Sequence, residues 1–215
     1  MVDDSQDLEN RLAALASSVR LVFFTQTFDC DICLPARQVI DQIAKLSSQV
    51  SVEEYNLILD QKKVAEFKVD QAPATAIIGK RDLGLRYYGI PSGYETASFF
   101  DAIMIAAGSD LGLTKESLAL TATLKQPLNI KVFVTSTCAF CPRAVGLAYR
   151  LAAASDYITA SVIEATGFPE LVKKYRVTGV PKTIINDRIE ILGAQSEAVF
   201  VKEALLSKEV NEDVK

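Results

Sequence analysis

The four cysteines of this chain form two Cys-x-x-Cys pairs, Cys30 with Cys33 and Cys138 with Cys141. Pairs at this spacing either bind metal ions or exchange disulfides with other thiols. The 215 residues include no histidine, which excludes Ser-His and Cys-His hydrolases, His-ligated metals and histidine general bases. Four cysteines are too few for a disulfide-held scaffold, so the pairs indicate redox or metal chemistry.

The two pairs belong to an internal repeat. Cys30 and Cys138 lie 108 positions apart, as do Cys33 and Cys141, and the same offset superimposes Pro73 on Pro181. Further matches at this offset need no gap: Ala36 with Ala144, Ala44 with Ala152, Val64 with Val172, Val69 with Val177, Thr75 with Thr183 and Ile77 with Ile185. A repeat of this extent predicts two similar structural units in one chain.

Each copy has the same predicted order of elements. In the first and second copy respectively, apolar runs predict strands at 19–25 and 129–135, and a helix is predicted after each cysteine pair. Further strands are predicted near 50–59 and 157–164, and further helices near 61–68 and 168–176. A β-hairpin follows each proline, and the closing helices are Thr96–Ala107 and Glu197–Leu206. Opening helices are expected at 5–17 and 114–124, the second capped by Thr114. The predicted class is α/β, with two tandem units that each have a mixed central sheet flanked by helices.

The boundary between the units is expected near residue 112, which gives units 1–112 and 113–215. The connecting segment 108–114 is short and partly apolar. We therefore expect the two units to pack against each other rather than to be joined by a free tether.

The position of each cysteine pair, between a strand and a helix, has an electrostatic consequence. The first sulfur lies near the unsatisfied N–H groups and the positive dipole end of the helix, which favours its thiolate. We therefore expect Cys30 and Cys138 to attack disulfides, and Cys33 and Cys141 to resolve the mixed disulfides that result.

A proline precedes a strand in each copy, 43 residues after the first cysteine, within Ala72-Pro73 and Val180-Pro181. X-Pro is the peptide bond that adopts cis at modest cost. Cis bonds here would leave neighbouring backbone groups free to pair with an extended peptide, so Ala72, Pro73, Val180 and Pro181 are predicted to bind substrate.

Each copy resembles a thioredoxin/glutaredoxin unit, and the tandem arrangement resembles the protein disulfide oxidoreductases, also called glutaredoxin-like proteins. The most specific stretches are Phe133–Ala144, which contains Cys138-Ala-Phe-Cys141, and Val177–Ile185, which contains Pro181. The resemblance implies two thioredoxin-like folds. It also implies oxidation, reduction and isomerisation of protein disulfides, no cofactor, and an external reductant of the thioredoxin-reductase type.

The sequence departs from these families at two points. The second motif of the protein disulfide oxidoreductases usually reads Cys-Pro-Tyr-Cys, whereas this one reads Cys138-Ala-Phe-Cys141. Thioredoxins carry a buried Asp six residues before the first cysteine, where this chain has Phe24 and Val132. The group that assists proton transfer is therefore unassigned from the sequence.

Three alternatives compete with a protein disulfide oxidoreductase. Four thiolates could hold zinc or an iron–sulfur cluster, but each pair belongs to its own unit, so no metal is expected. A non-catalytic peptide-binding or chaperone module is disfavoured because both copies have both cysteines. An electron carrier to a peroxiredoxin, like the tandem domain of the bacterial peroxiredoxin reductases, is disfavoured because that domain usually keeps one pair.

Charge and composition limit the partners and the compartment. The net charge is −4 with no Lys and Arg cluster, so nucleic-acid binding is not expected. No long apolar run predicts a membrane span, and the acidic N-terminus does not resemble a secretory signal. We expect a cytoplasmic protein whose partners are protein thiols and disulfides, with a thioredoxin-reductase-like or peroxiredoxin partner.

The two pairs are expected to differ in reactivity. Cys30 lies between Asp29 and Asp31, whose carboxylates oppose a second negative charge, whereas Arg143 follows Cys138 in the first turn of its helix. The sequence therefore predicts that Cys138 is the more acidic thiol and that the second unit is the principal catalyst.

Overall fold

The computed structural model describes the backbone of residues 10–206. It contains eight β-strands: β1 Val19–Thr25, β2 Val50–Asn56, β3 Ala74–Ile78, β4 Asp82–Tyr88, β5 Leu128–Val134, β6 Ile158–Glu164, β7 Lys182–Ile185 and β8 Ile189–Leu192. The principal helices are α1 Cys33–Lys45, α2 Gln61–Phe67, α3 Glu95–Ala106, α4 Lys115–Ala122, α5 Cys141–Ala154, α6 Pro169–Lys174 and α7 Glu197–Leu206.

All eight strands form one mixed sheet in the order β2-β1-β3-β4-β6-β5-β7-β8. The pairings β1/β2, β4/β6 and β5/β6 are parallel, and the other four are antiparallel. Six strands therefore point in one direction, while β3 and β7 point in the other. Because β1 and β5 are among the six, the segments that follow them, which carry the two cysteine pairs, lie at the same edge of the sheet.

Helices cover both faces of this sheet. Along β1, Leu21 and Phe23 pack into one hydrophobic cluster and Val22 and Phe24 into another, as expected for a strand buried on both sides. The first cluster includes residues of α1, α3, α5 and α7, and the second lies beneath α2 and α6. The buried aromatics Tyr87, Tyr88, Phe99 and Phe100 belong to these cores, as predicted.

The two halves join through the middle of the sheet, which confirms the expected packing of the units. Residues 85–88 of β4 pair with 160–163 of β6. The Tyr149 hydroxyl donates a 2.9 Å hydrogen bond to the carbonyl of Arg86 across the junction, and Arg81 forms an ion pair with Asp156. The boundary at residue 112 stays a prediction.

Most of the predicted elements are present within a few residues of their expected ends. Thr114 caps α4 as predicted, since its side chain accepts a hydrogen bond from the Ser117 N–H. The helix expected at 168–176 is shorter and spans Pro169–Lys174, since the chain leaves the helical conformation at Arg176, which has a φ of 49°. A separate 3₁₀ turn at 165–167 precedes it, in which the Glu164 carboxylate accepts from the Gly167 N–H and the Thr166 hydroxyl.

The first opening helix ends earlier than expected. Residues 1–9, which include the start of the predicted helix 5–17, lie outside the described residues, and the described helical turn ends at residue 13. Two carbonyls at this end accept from side chains of the first unit, since Ser47 donates to the carbonyl of Leu12 and Gln49 to that of Leu15. Among the described helices, none is both long enough and apolar enough to span a bilayer.

Candidate active site

Each cysteine pair closes a disulfide at the start of a helix. Cys30 bonds Cys33 with a Cα–Cα distance of 5.4 Å, and Cys138 bonds Cys141 with a distance of 5.5 Å. Cys33 and Cys141 are the first residues of α1 and α5, and neither helix has a side-chain N-cap. The positive ends of both helix dipoles therefore lie beside the sulfurs, which favours the thiolate in the reduced protein.

Exposure distinguishes the two cysteines within each pair. Cys33 and Cys141 are buried, with 5% and 0% of their surface exposed. Cys30 and Cys138 are only partly buried. An external disulfide can therefore approach the first cysteine of each pair before the second.

The predicted proline loops lie at the same edge of the sheet as the cysteines. Ala72-Pro73 and Val180-Pro181 are both cis, as predicted. The carbonyls of Pro73 and Pro181 accept from the N–H groups of Gly89 and Gly193. Within the described residues, no backbone hydrogen bond involves Ala72 or Val180, so these positions present unpaired backbone groups beside the sulfurs. Their role in substrate binding stays a prediction.

The charges around the two pairs differ. Asp29 and Asp31 are exposed, and neither forms an ion pair within the described chain. Asp29 has a φ of 56°, and the Gln26 side chain bonds the carbonyls of Phe28 and Asp29 in this turn. Near the second pair, Arg143 is exposed and makes no ion pair with any described residue.

We predict that Cys138 forms its thiolate at lower pH than Cys30, because two carboxylates flank Cys30 and a guanidinium lies one turn from Cys138. The measurement is the rate of alkylation against pH on variants that keep one pair each. Arg143→Gln should move the Cys138 profile to higher pH and leave the Cys30 profile in place. Coincident profiles, or a more acidic Cys30, would contradict the prediction.

A buried carboxyl that the sequence analysis missed begins the helix that contacts the loop before the second pair. Glu95 is the first residue of α3 and is fully buried, and neither of its carboxyl oxygens has a hydrogen-bond partner among the described residues. The preceding residue, Tyr94, donates its N–H to the carbonyl of Ser136, two residues before Cys138, at 2.9 Å. The first unit thus brings the start of α3, which carries this carboxyl, against the loop that leads to the second cysteine pair.

The protonation of Glu95 is set mainly by its burial. Burial raises the pKa of Glu95 to about 7, the negative charge of Glu164 acts in the same direction, and the nearby Ser98 hydroxyl opposes both. The sequence held a signal for this residue, because Glu95 begins the buried stripe of α3 that continues with Phe99, Ala102 and Ala106. A carboxyl on an otherwise apolar stripe is a candidate for a functional group.

No metal centre is assembled in the part of the chain that the structure describes. The four sulfurs are engaged in two disulfides at the ends of different strands, β1 and β5. No group of three or more described Cys, Asp or Glu side chains converges as metal ligands would.

Comparison with known proteins defines the class of the fold. A family model for the thioredoxin domain matches residues 128–206. The protein disulfide oxidoreductase from Aeropyrum pernix superimposes with a TM-score of 0.88 at 25% identity, over 97% of this chain and 94% of that one. This chain is a thioredoxin-fold protein with two tandem thioredoxin-like units, as predicted from the sequence, and its resemblance to the protein disulfide oxidoreductases is confirmed.

A second group of similar proteins includes alkyl hydroperoxide reductases. A mutant form of the alkylhydroperoxide reductase AhpF from Enterococcus faecalis superimposes with a TM-score of 0.87 at 24% identity, over 94% of this chain and 97% of that chain. Curated relatives include a protein named NADH dehydrogenase from Bacillus subtilis, 22% identical over 148 residues and 69% of this chain, and an alkyl hydroperoxide reductase from Staphylococcus epidermidis, 23% identical over 150 residues and 70% of this chain. The alignment spans 27% of the length of each of these two relatives.

Proposed function

We propose that this protein is a thiol–disulfide oxidoreductase that reduces, forms or isomerises protein disulfides through two cysteine centres. The observation that carries this proposal is the same in both units: a partly exposed cysteine precedes a buried one at an uncapped helix N-terminus. Such a pair can attack an external disulfide and then release the product.

The reaction follows from the exposure of the two sulfurs. In the reduced protein, the Cys30 or Cys138 thiolate attacks one sulfur of a substrate disulfide, which forms a mixed disulfide and expels the other substrate sulfur as a thiolate. Cys33 or Cys141 then loses its proton, attacks the sulfur of its partner cysteine and expels the second substrate thiolate. The substrate gains the two electrons that the protein dithiol loses, and the reverse sequence oxidises a substrate dithiol.

The buried second cysteine needs a proton acceptor when it attacks. Cys141 is fully buried, and water has no direct access to it in this structure. We propose that Glu95 takes this proton for the second pair, because a carboxyl with a pKa of about 7 is suited to exchange protons near neutral pH. Glu95 then replaces the Asp that thioredoxins carry at the position of Val132.

Substrate binding is assigned to the two proline loops. The backbone of Ala72 and Val180 forms no backbone hydrogen bond within the described chain, at the edge where the sulfurs lie. The carbonyls of Pro73 and Pro181 accept hydrogen bonds from Gly89 and Gly193. An extended substrate segment can pair with this backbone beside either sulfur, in the manner of an added strand.

The physiological partner is proposed by class. No prosthetic group is required for the exchange, since electrons enter through the same sulfurs from an external reductant of the thioredoxin-reductase type. Transfer of electrons to a peroxiredoxin is the second candidate function, favoured by the similarity to the alkyl hydroperoxide reductases. We place both activities in the cytoplasm.

We expect the purified protein to accelerate the reduction of insulin by dithiothreitol, because both attacking cysteines are accessible to an external disulfide. The measurement is the turbidity of the released B chain, with protein alkylated beforehand as the control. The same reduced preparation, mixed with an oxidised peroxiredoxin, tests the carrier function. A variant with all four cysteines changed to serine should lose both activities, and activity of that variant as a chaperone alone would favour the peptide-binding module.

A further inference from the structure

Exposed apolar side chains gather around the first cysteine pair. Phe28, two residues before Cys30, is 80% exposed, and Leu34, directly after Cys33, is 67% exposed. Ile58 and Leu59 follow β2, the parallel neighbour of β1, and are 64% and 79% exposed. Because β1 and β2 end at the same edge of the sheet, these four side chains form one surface, which we call the first-site patch.

Among the described residues, fewer large apolar side chains are exposed around the second pair. Phe140, between its two cysteines, and Tyr94 are the large exposed apolar side chains at that end of the described structure. Exposed apolar side chains are therefore more concentrated beside the first pair than beside the second. This difference indicates that the two pairs act on different substrates.

An acidic cavity adjoins the first pair. Its volume is about 380 Å³, and its lining includes Asp29, Asp70, Ala72, Phe168 and Glu170. No Lys or Arg lines it, and Asp29, Asp70 and Glu170 form no ion pair with any described residue. The second unit supplies its far wall, where a Cβ on Gly167 would lie 2.6 Å from the Ile32 side chain, so only glycine fits without displacing Ile32.

Three features therefore lie near the first pair: an apolar patch, carboxylates without an ion pair among the described residues, and the backbone of Ala72 in the cavity wall, which has no backbone hydrogen bond within the described chain. We propose that the first pair acts on extended polypeptide segments that carry apolar residues and a Lys or Arg close to the reacting cysteine. This inference rests on the proposed function and names the substrate class of one of its two centres. The apolar side chains contact the first-site patch, and the cation lies against the carboxylates of the cavity.

The chemistry at this centre is the exchange already described. The Cys30 thiolate bonds one sulfur of the segment and expels the other as a thiolate, and Cys33 then displaces the segment from Cys30. Two electrons pass from the dithiol to the segment. The attraction between the cation of the segment and the carboxylates of the cavity speeds the association of the segment with the protein. It therefore raises the rate of the first step, the attack by Cys30.

The test uses two full-length variants, each with one pair. Cys138→Ser/Cys141→Ser keeps the first pair, and Cys30→Ser/Cys33→Ser keeps the second. Each is reduced, freed of reductant and mixed with disulfide-linked peptides of equal length and equal apolar content, flanked either by Lys or by Glu. For each variant, the rate with the Lys peptide is divided by the rate with the Glu peptide. The quotient of this ratio at the first pair and at the second pair is then independent of the intrinsic reactivity of the peptides.

We expect this quotient to be about ten or more at low salt and to fall towards one at high ionic strength. Asp29→Asn/Glu170→Gln in the first-pair variant, which removes two of the carboxylates that line the cavity, should lower it. Asn is suitable at position 29 because it tolerates the positive φ there. Phe28→Ser/Leu59→Ser should slow the Lys peptide severalfold, whereas Leu192→Ser, at an exposed site on β8, should not.

A quotient near one at low salt would overturn the inference while both variants still reduce peptides, and the proposed function would stand. A rate unaffected by Phe28→Ser/Leu59→Ser would remove the apolar contact from the substrate class. Failure of both variants to reduce either peptide would overturn the proposed function and this inference together.

Discussion

Replacing Cys30 and Cys138 together by serine is expected to lower the rate of insulin reduction by about a thousandfold or more, to the uncatalysed rate. The reason is that a serine hydroxyl does not ionise near neutral pH, whereas the thiolate is the attacking species. The remaining Cys33 and Cys141 are buried and cannot reach an external disulfide. The measurement is the rate of insulin reduction at equal protein concentrations.

The complementary replacement serves as the control. Cys33→Ser/Cys141→Ser keeps both accessible cysteines, so it should form stable mixed disulfides with substrate that a non-reducing gel separates. Wild-type turnover by Cys30→Ser/Cys138→Ser, or capture of substrate by that variant, would contradict the assignment of Cys30 and Cys138 as the attacking residues.

Replacing Glu95 by glutamine should slow exchange at the second pair by at least about tenfold near neutral pH, because the proton of Cys141 then lacks its acceptor. The measurement is the pH profile of the reduction rate in the variant that keeps only Cys138 and Cys141. The wild-type profile should change near pH 7, the pKa of Glu95, and this step should be missing in the glutamine variant. The same replacement in the first-pair variant is the control and should have little effect.

The same carboxyl makes stability depend on pH. Its pKa rises from an ordinary value of 4.5 to about 7 on folding, so the folded state holds the proton more tightly than the unfolded state. Stability from this group is full below pH 4.5 and is lost as the pH rises through 7, a difference of about 3 kcal/mol. Relative to the wild type, Glu95→Gln should therefore gain stability between pH 4.5 and pH 8, as measured by urea unfolding. A parallel pH dependence in the wild type and the variant would contradict the buried titration.

The exposed Glu116 offers a matched control for that measurement. Glu116 lies in the first turn of α4 and is exposed, so Glu116→Gln should leave the pH dependence of unfolding unchanged. A change in the wild-type slope with Glu116→Gln would show that general charge, and not Glu95, sets the dependence.

The repeat explains why so much of the fold could be predicted. A 108-residue offset aligns both cysteines and the proline, and it also aligns each predicted element of one unit with its counterpart in the other. A weak pattern for a helix or strand in one copy is therefore supported by the equivalent pattern in the other copy. Helix α7 begins and ends at the predicted residues. The sequence pattern contains these features because they depend on local periodicity and on residues close in the chain.

Features that depend on distant contacts could not be predicted in this way. Glu95 becomes a candidate only because α3 of the first unit packs against the loop before Cys138. The C-terminal carbonyls of the two equivalent helices, at Phe67 and Tyr175, are likewise bonded by non-equivalent cations, Arg86 on β4 and Lys182 on β7. In each unit a cationic side chain brought in by tertiary packing satisfies the helix C-terminal carbonyl. These two side chains are not related by the 108-residue offset, so the repeat does not predict them.

The continuous sheet also limits how electrons can move between the two cysteine pairs. Four strand spacings separate β1 from β5, about 19 Å along the sheet, whereas a disulfide bond needs sulfurs about 2 Å apart. The two centres therefore cannot oxidise each other within one molecule while the sheet is intact. The fully reduced protein carries four exchangeable electrons, two in each cysteine pair. A molecule with one reduced pair keeps its two electrons in that pair until an external thiol or disulfide reacts with it.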